Sequence, residues 1–238
     1  MDDPVMLVEV DSTMDELHRR AEGGGEHGLA VVAARQRNGR GRLGRRWAAG
    51  DGGLWCSVLA RDLGSAELDV LSLRVGIAVA LALESAIPRV PRLMLKWPND
   101  LRLAERKVGG VLSEARWHGT RAEWVVIGVG VNLRNRVPDA LAAEAASLGE
   151  VTTVPAPDAL APLVIDAVRA AIMRTGTLDP DELEAWSLRD DLFGRRIMTP
   201  VMGIAEGITA DGSLRVRQAD GQLVLVRTGE VAADGTPT

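Results

Sequence analysis

Two long apolar runs, Val108 to Trp117 and Trp124 to Leu133, are separated by a short polar stretch containing His118-Gly119, a spacing that predicts a β-hairpin. Strands of this length and hydrophobicity commit the chain to a substantial, largely buried sheet. Four glycines interrupt them, Gly109, Gly110, Gly128 and Gly130. Glycine weakens a strand, so this many in one hairpin predicts that a ligand or another backbone lies against it.

The rest of the chain supplies partners for that hairpin. Val5 to Val10, Leu29 to Ala34, Leu54 to Ala60 and Leu93 to Trp97 read as further strands, the last stopped by Pro98. Ser12, Thr13 and Glu16 offer a Thr-x-x-Glu capping box for a helix running to Gly23-Gly24-Gly25. Leu68 to Ala86 has the length and apolar repeat of a buried helix, and Pro138 to Leu148, Pro157 to Arg174 and Pro180 to Leu188 read as helices with proline in the first turn. After Phe193-Gly194 the texture changes to short strands with Asp-Gly turns at Asp211-Gly212 and Asp220-Gly221, which predicts a small barrel-like β domain. The tail from Ala232 to Thr238 is expected to fray.

Between the second and third strands hangs an unusual loop. Arg35 to Trp47 packs six arginines and three glycines into thirteen residues of a chain whose formal net charge is -5. Like charges repel, so residues 38–48 are expected to be mobile and poorly ordered until an anionic ligand binds. Arginine presents a rigid fork of donors suited to carboxylate and phosphate, and glycine lets backbone N–H groups approach phosphate closely. The acidic balance argues against a protein that coats nucleic acid. Cys56 is the only cysteine, so no internal disulfide can form, which fits a reducing, cytoplasmic setting. No targeting segment is evident and the apolar run Val75 to Leu83 is too short to span a bilayer, so no membrane partner is expected.

Three segments carry a resemblance to the catalytic domain of biotin protein ligases. Gly39-Arg40-Gly41-Arg42-Leu43-Gly44-Arg45-Arg46-Trp47 is similar to that family's Gly-Arg-Gly-Arg-x-Gly-Arg-x-Trp loop, and Lys96-Trp97-Pro98-Asn99-Asp100 to its Lys-Trp-Pro-Asn-Asp. Lys107-Val108-Gly109-Gly110-Val111-Leu112-Ser113-Glu114 matches the third, in the same order and spacing. The resemblance implies an α+β fold like the class II aminoacyl-tRNA synthetases, with a mixed sheet flanked by helices over residues 1–190 and an SH3-like β-barrel over 191–238. It implies ATP and biotin as substrates, Mg²⁺ with the nucleotide, and transfer of biotin through biotinyl-5′-AMP to a lysine of a biotin carboxyl carrier protein domain. A monomer or homodimer is expected. So few residues precede Ser12 that the DNA-binding domain carried by some relatives is not expected, nor a DNA partner.

By the same resemblance, Lys107 and Arg42 are the expected catalytic pair, holding the biotin carboxylate and the α-phosphate. Ser12, Thr13, Gln36, Gly39, Arg40, Gly109, Gly110 and Gly128 are expected around biotin. Arg40, Arg45, Trp47, Asn99 and Asn132 are expected around ATP, Trp47 closing over the nucleotide, and no residue is assigned to a metal. Asp100 is a candidate base for the acceptor lysine. Met14 stands where the family usually has asparagine. Three rivals are a lipoate or octanoate ligase or transferase of the same fold, whose glycine-rich motif is missing, a nucleic-acid-binding module, and a catalytically silent ligase-like protein, which Met14 keeps open.

Overall fold

Val5–Val10 (β1) and Ala30–Gln36 (β2) run parallel, and the helix Thr13–Glu22 (α1) connects them. The computed structural model describes residues 2–119 and 121–234. Ser12 caps α1 by accepting from the Met14 N–H at 3.2 Å. The capping box expected at Thr13 and Glu16 does not form. Thr13 spends its hydroxyl on Ser57 at 2.8 Å and Gln36 at 3.1 Å, while Glu16 pairs with Arg19 and Arg20. A side chain tied to the sheet in this way cannot also cap its own helix.

Leu54–Ala60 (β3) returns antiparallel to β2, and Met94–Lys96 (β4), Asp100–Leu103 (β5), Arg106–His118 (β6) and Arg121–Val131 (β7) complete a seven-stranded mixed sheet in the order β1-β2-β3-β7-β6-β5-β4. The glycine-rich hairpin is β6 and β7, as expected. The helix α1 buries Met14, Leu17 and Ala21 against Val31, Leu59, Trp124 and Val126 on one face. The opposite face carries Ala30, Val58, Val125 and Ile127 and is covered by Ser65–Ala86 (α2) and Pro157–Ile172 (α3). Side chains alternate across a strand, so neighbouring residues of β3 and β7 belong to different cores.

Pro180–Ser187 (α4) precedes the second sheet, in which Arg196–Thr199 (β8), Gly203–Ile208 (β9), Leu214–Arg217 (β10), Leu223–Val226 (β11) and Ala232–Ala233 (β12) pair antiparallel in the order β11-β10-β9-β8-β12. Both Asp-Gly turns lie between its strands, with Gly212 at φ 80° and Gly221 at φ 84°, torsions that favour glycine. Ala232 and Ala233, read as frayed from the sequence, are strand residues instead, because β8 offers them a ladder; residues 235–238 lie outside the described residues. The second sheet is anchored beside β4. The Trp97 indole donates to Gly212 O at 2.9 Å, and Leu95 exchanges backbone hydrogen bonds with Arg189 and Asp191.

The helix expected over Pro138 to Leu148 is absent. Two short 3₁₀ turns, Asp139–Leu141 and Leu148–Glu150, stand there. Between them the backbone runs alongside β6, where Lys107 N donates to Glu144 O at 2.7 Å and Ala146 N to Lys107 O at 2.9 Å. Groups spent on the sheet are withdrawn from a helix. No helix among the described residues is long and apolar enough to cross a membrane.

Candidate active site

The registers of the first sheet assemble one row of residues across five strands. Lys96 pairs with Asp100, Asp100 with Gly110, Gly110 with Gly130, and Gly130 with Trp55. Cross-strand partners share a face, and this face is the one that α1 covers. The next row runs Leu112, Gly128, Ser57, Val31. Two glycines at the middle of one row and one in the next leave a trough, and a cavity of about 480 Å³ opens above it.

Parity alone would send Lys107 to the other face with Gly109. A β-bulge between β5 and β6 prevents this: Leu101 pairs with Gly109 but Arg102 with Lys107, so one extra residue, Val108, is inserted. The bulge turns Lys107 onto the trough, a common use of such irregularities beside sites. Its Nζ lies 2.5 Å from Asp100 Oδ1 and 5.3 Å from the centroid of the Trp47 ring. Trp47 stacks edge-on to Trp55 at 6.3 Å and sits over Gly130, where a Cβ would come within 3.1 Å of its ring.

The arginine loop forms the wall opposite this floor. It runs as a narrow hairpin, with Trp47 N donating to Gly39 O and Gly41 N to Arg45 O, both at 2.8 Å. Carboxylates disperse the repulsion. Arg40 meets Asp15 at 2.8 Å and Glu114, Arg45 meets Glu230, Arg37 meets Asp11 at 2.8 Å, and Arg35 meets Asp51 at 3.1 Å. Arg42 instead donates to Asn99 Oδ1 at 3.3 Å and to Gly229 O at 3.2 Å.

Of the residues expected from the sequence, Ser12, Thr13, Gln36, Arg40, Arg42, Arg45, Trp47, Asn99, Lys107, Gly110, Gly128 and Asn132 all line this one cavity. Two do not. Gly39 is part of the loop hairpin, where a Cβ would stand 2.6 Å from Trp47 O, and Gly109 is on the opposite face, where a Cβ would stand 2.9 Å from Gly130 O. Both are glycine because backbone passes close to them, not to make room for a ligand. The notch at Gly128 is filled by Met14, whose Sδ would be 2.7 Å from a Cβ there. Asn132 is held at both ends of its amide, giving Nδ2 to Ala146 O and accepting from Asn135 at Oδ1, both at 3.1 Å.

Several cavity residues escaped the sequence reading. Lys96 opens the Lys-Trp-Pro-Asn-Asp motif, and no local signal marks it as a cavity residue. Asn135 lies three residues past Asn132, nearly buried, with Oδ1 unpartnered. Glu230, Val231 and Ala232 reach the cavity from the second sheet; no local pattern could have announced a contact so distant in sequence. Cys56 also borders the cavity, and full burial pushes its thiol up to about 12, which leaves it inert as a nucleophile. Among the described residues no cluster of three His, Cys, Asp or Glu could hold a metal ion.

Residues 8–132 match the biotin/lipoate A/B protein ligase family, and residues 199–232 match the biotin protein ligase C terminal domain. The chain belongs to the biotin protein ligase family. It is 32% identical over 234 residues to the biotin--[acetyl-CoA-carboxylase] ligase of Paracoccus denitrificans, covering 92% of this chain and 96% of that one. The bifunctional ligase/repressor BirA of Bacillus subtilis is 34% identical over 144 residues, 58% of this chain. There the chain spans 44% of the relative's length. Among solved structures, the biotin protein ligase from Aquifex aeolicus in complex with biotin and ATP superposes with a TM-score of 0.81 at 25% identity, covering 98% of this chain and 99% of that one. The α+β architecture with a small C-terminal β domain is therefore the family's own.

Proposed function

We propose that the chain adenylates biotin with ATP and passes the biotinyl group to a lysine of a biotin carboxyl carrier protein domain. The observation that carries this reading is Lys107, turned by a bulge onto a glycine floor and faced by Arg40, Arg42 and Arg45 in a single cavity. Such a site suits the meeting of two anions. A biotin carboxylate oxygen attacks the α-phosphorus, the bond to the bridging oxygen of the β-phosphate breaks, and pyrophosphate leaves with the electron pair. The acceptor amine, once deprotonated, then attacks the acyl carbon and expels AMP.

Charge gathers on the phosphoryl oxygens as the first step proceeds, and preorganised cations stabilise it where water cannot. Lys107 and Arg42 would take this role, Arg40 and Arg45 adding phosphate contacts. Each must exchange a protein partner for the ligand: Lys107 leaves Asp100, and Arg42 leaves Asn99 and Gly229. Asp100, freed of Lys107, is then available as base for the acceptor lysine. Ser12, Thr13, Gln36, Met14 and Gly128 cluster at the α1 end of the cavity and would receive the biotin rings, with Asn99, Asn132 and Trp47 near the nucleotide. Magnesium would arrive on the triphosphate. Within this assignment residues 1–190 bind both substrates and residues 191–238 close one side.

Relatives named for biotin, and the match of the second sheet to a biotin protein ligase domain, favour biotin over lipoate. The test is exchange of labelled pyrophosphate into ATP. Exchange is expected with biotin and not with lipoate; no biotin-dependent exchange by folded protein would refute the reading.

A further inference from the structure

The cations that line the cavity differ in one respect. Lys107, Arg40 and Arg45 each contact a carboxylate, and Arg42 a carbonyl and an amide oxygen. The Lys96 side chain has no hydrogen bond or ion pair with any described residue, although it is half-buried and borders the cavity. Its cross-strand neighbour Asp100 is engaged by Lys107, and the other nearby carboxylate, Asp191, by Arg102 at 2.6 Å and Arg195 at 3.5 Å. The groups facing Lys96 are thus Asp100 and Arg102 from β5, Lys107 from β6 and Asp191 from the segment after α4. With Lys96 counted, three cations stand against two carboxylates. A partly desolvated charge without a partner is unfavourable, and its retention at the end of a substrate trough points to an anion that arrives with the ligand.

Resting on the adenylation reading above, we propose that Lys96 holds the terminal phosphates of ATP and the pyrophosphate released from them. Lys107 lies two strands further along the floor, so the two ammonium groups would bracket the bond that breaks. Lys107 serves the α-phosphate. Lys96 donates to the oxygens of the leaving group, which take up the electron pair of the cleaved phosphorus–oxygen bond. No proton is transferred.

This assignment separates the two half-reactions. Lys96→Met keeps the length and apolar stem but removes the charge. Its KM for ATP in adenylate formation should rise about tenfold or more, the loss expected for one charged hydrogen bond, and inhibition by added pyrophosphate should weaken in parallel. Transfer from supplied biotinyl-5′-AMP to a carrier domain should stay within about twofold, since no pyrophosphate takes part. Calorimetry gives a readout without turnover: the preference for ATP over AMP should fall in Lys96→Met while AMP affinity is kept. Burial, and then Arg102, lower the pKa of Lys96, so its charge is lost at lower pH than that of a free lysine. ATP affinity should accordingly decline early on the alkaline side, and Lys96→Arg, which stays charged, should move that decline to higher pH.

Unchanged ATP-over-AMP preference and pyrophosphate inhibition in folded Lys96→Met would overturn the proposal. So would equal losses in both half-reactions, which would make Lys96 a general support of the site. Should Lys96→Met fail to fold, an alkaline limb unmoved by Lys96→Arg would overturn it. Absence of biotin-dependent pyrophosphate exchange in the unsubstituted protein would refute the adenylation reading and leave the ATP-over-AMP comparison to decide Lys96.

Discussion

The arginine loop and the strand floor beneath it are both built from cations and glycines, but they fix them by different means. On the floor, position is set by ladder hydrogen bonds and register: Lys107 faces the cavity because a bulge places it there, and Gly110 and Gly130 are opposite each other because β6 and β7 pair that way. In the loop, backbone hydrogen bonds close the hairpin but the guanidinium groups are placed by ion pairs with half-exposed carboxylates, such as Arg45 with Glu230 and Arg40 with Glu114. Exposed pairs contribute about 0.2–1 kcal/mol each and are weakened by salt. An entering carboxylate or phosphate can replace them. The floor is a template and the loop a set of exchangeable contacts.

The sharpest way to break this contrast is to remove the floor's cation. Lys107→Ala should slow pyrophosphate release about 10²–10³-fold, the loss typical of one preorganised donor, with a melting temperature near that of the unsubstituted protein. A reduction below about tenfold would remove Lys107 from the transition state.

The two faces of the hairpin can be set against each other next. Gly130→Val would place its side chain where the Trp47 ring lies, so adenylate formation should fall by about tenfold or more and tryptophan emission should shift as Trp47 is displaced. Gly109→Ala presses on Gly130 O from the opposite face and should cost about 1–3 kcal/mol of stability, with activity per folded molecule largely kept. If Gly109→Ala instead removed activity without destabilising the fold, the assignment of faces would be wrong.

Local signals made much of this legible. The strands β1, β3 and β7 and the helix α2 announced themselves by apolar runs, and the Asp-Gly turns by the torsions they demand. The arginine loop and the Lys-Trp-Pro-Asn-Asp motif located the site. What escaped depended on pairing between distant segments. Gly109 and Gly110 are adjacent in sequence, and only the register shows that one floors the cavity and the other packs away from it. The segment 138–148 looked helical until the backbone of Lys107 claimed it. The ion pairs of the arginine loop could not be read locally, because its carboxylate partners Asp15, Glu114 and Glu230 lie far from it along the chain.

A subtler effect tests whether ligand replaces the loop's contacts. Trypsin cuts after arginine, and the segment 38–48 carries four of them. Biotin with ATP should slow cleavage there severalfold, because the guanidinium groups would exchange mobile surface pairs for a bound ligand. Equal cleavage with and without both ligands would count against the loop as part of the binding site.

The smallest expected effect concerns the tie between the loop and the second sheet. Arg45 and Glu230 are both more than half exposed, so Glu230→Ala should lower stability by less than about 1 kcal/mol. Arg45 would then be free before ATP arrives, and the KM for ATP should stay within about twofold or fall slightly, since one competing contact is gone. Urea unfolding and initial-rate measurements at low and high salt would show this, the difference between variants shrinking as salt screens the pair. A rise in KM of tenfold or more would mean that Glu230 holds Arg45 in its productive place. That outcome would move the loop from the exchangeable to the fixed side of the comparison.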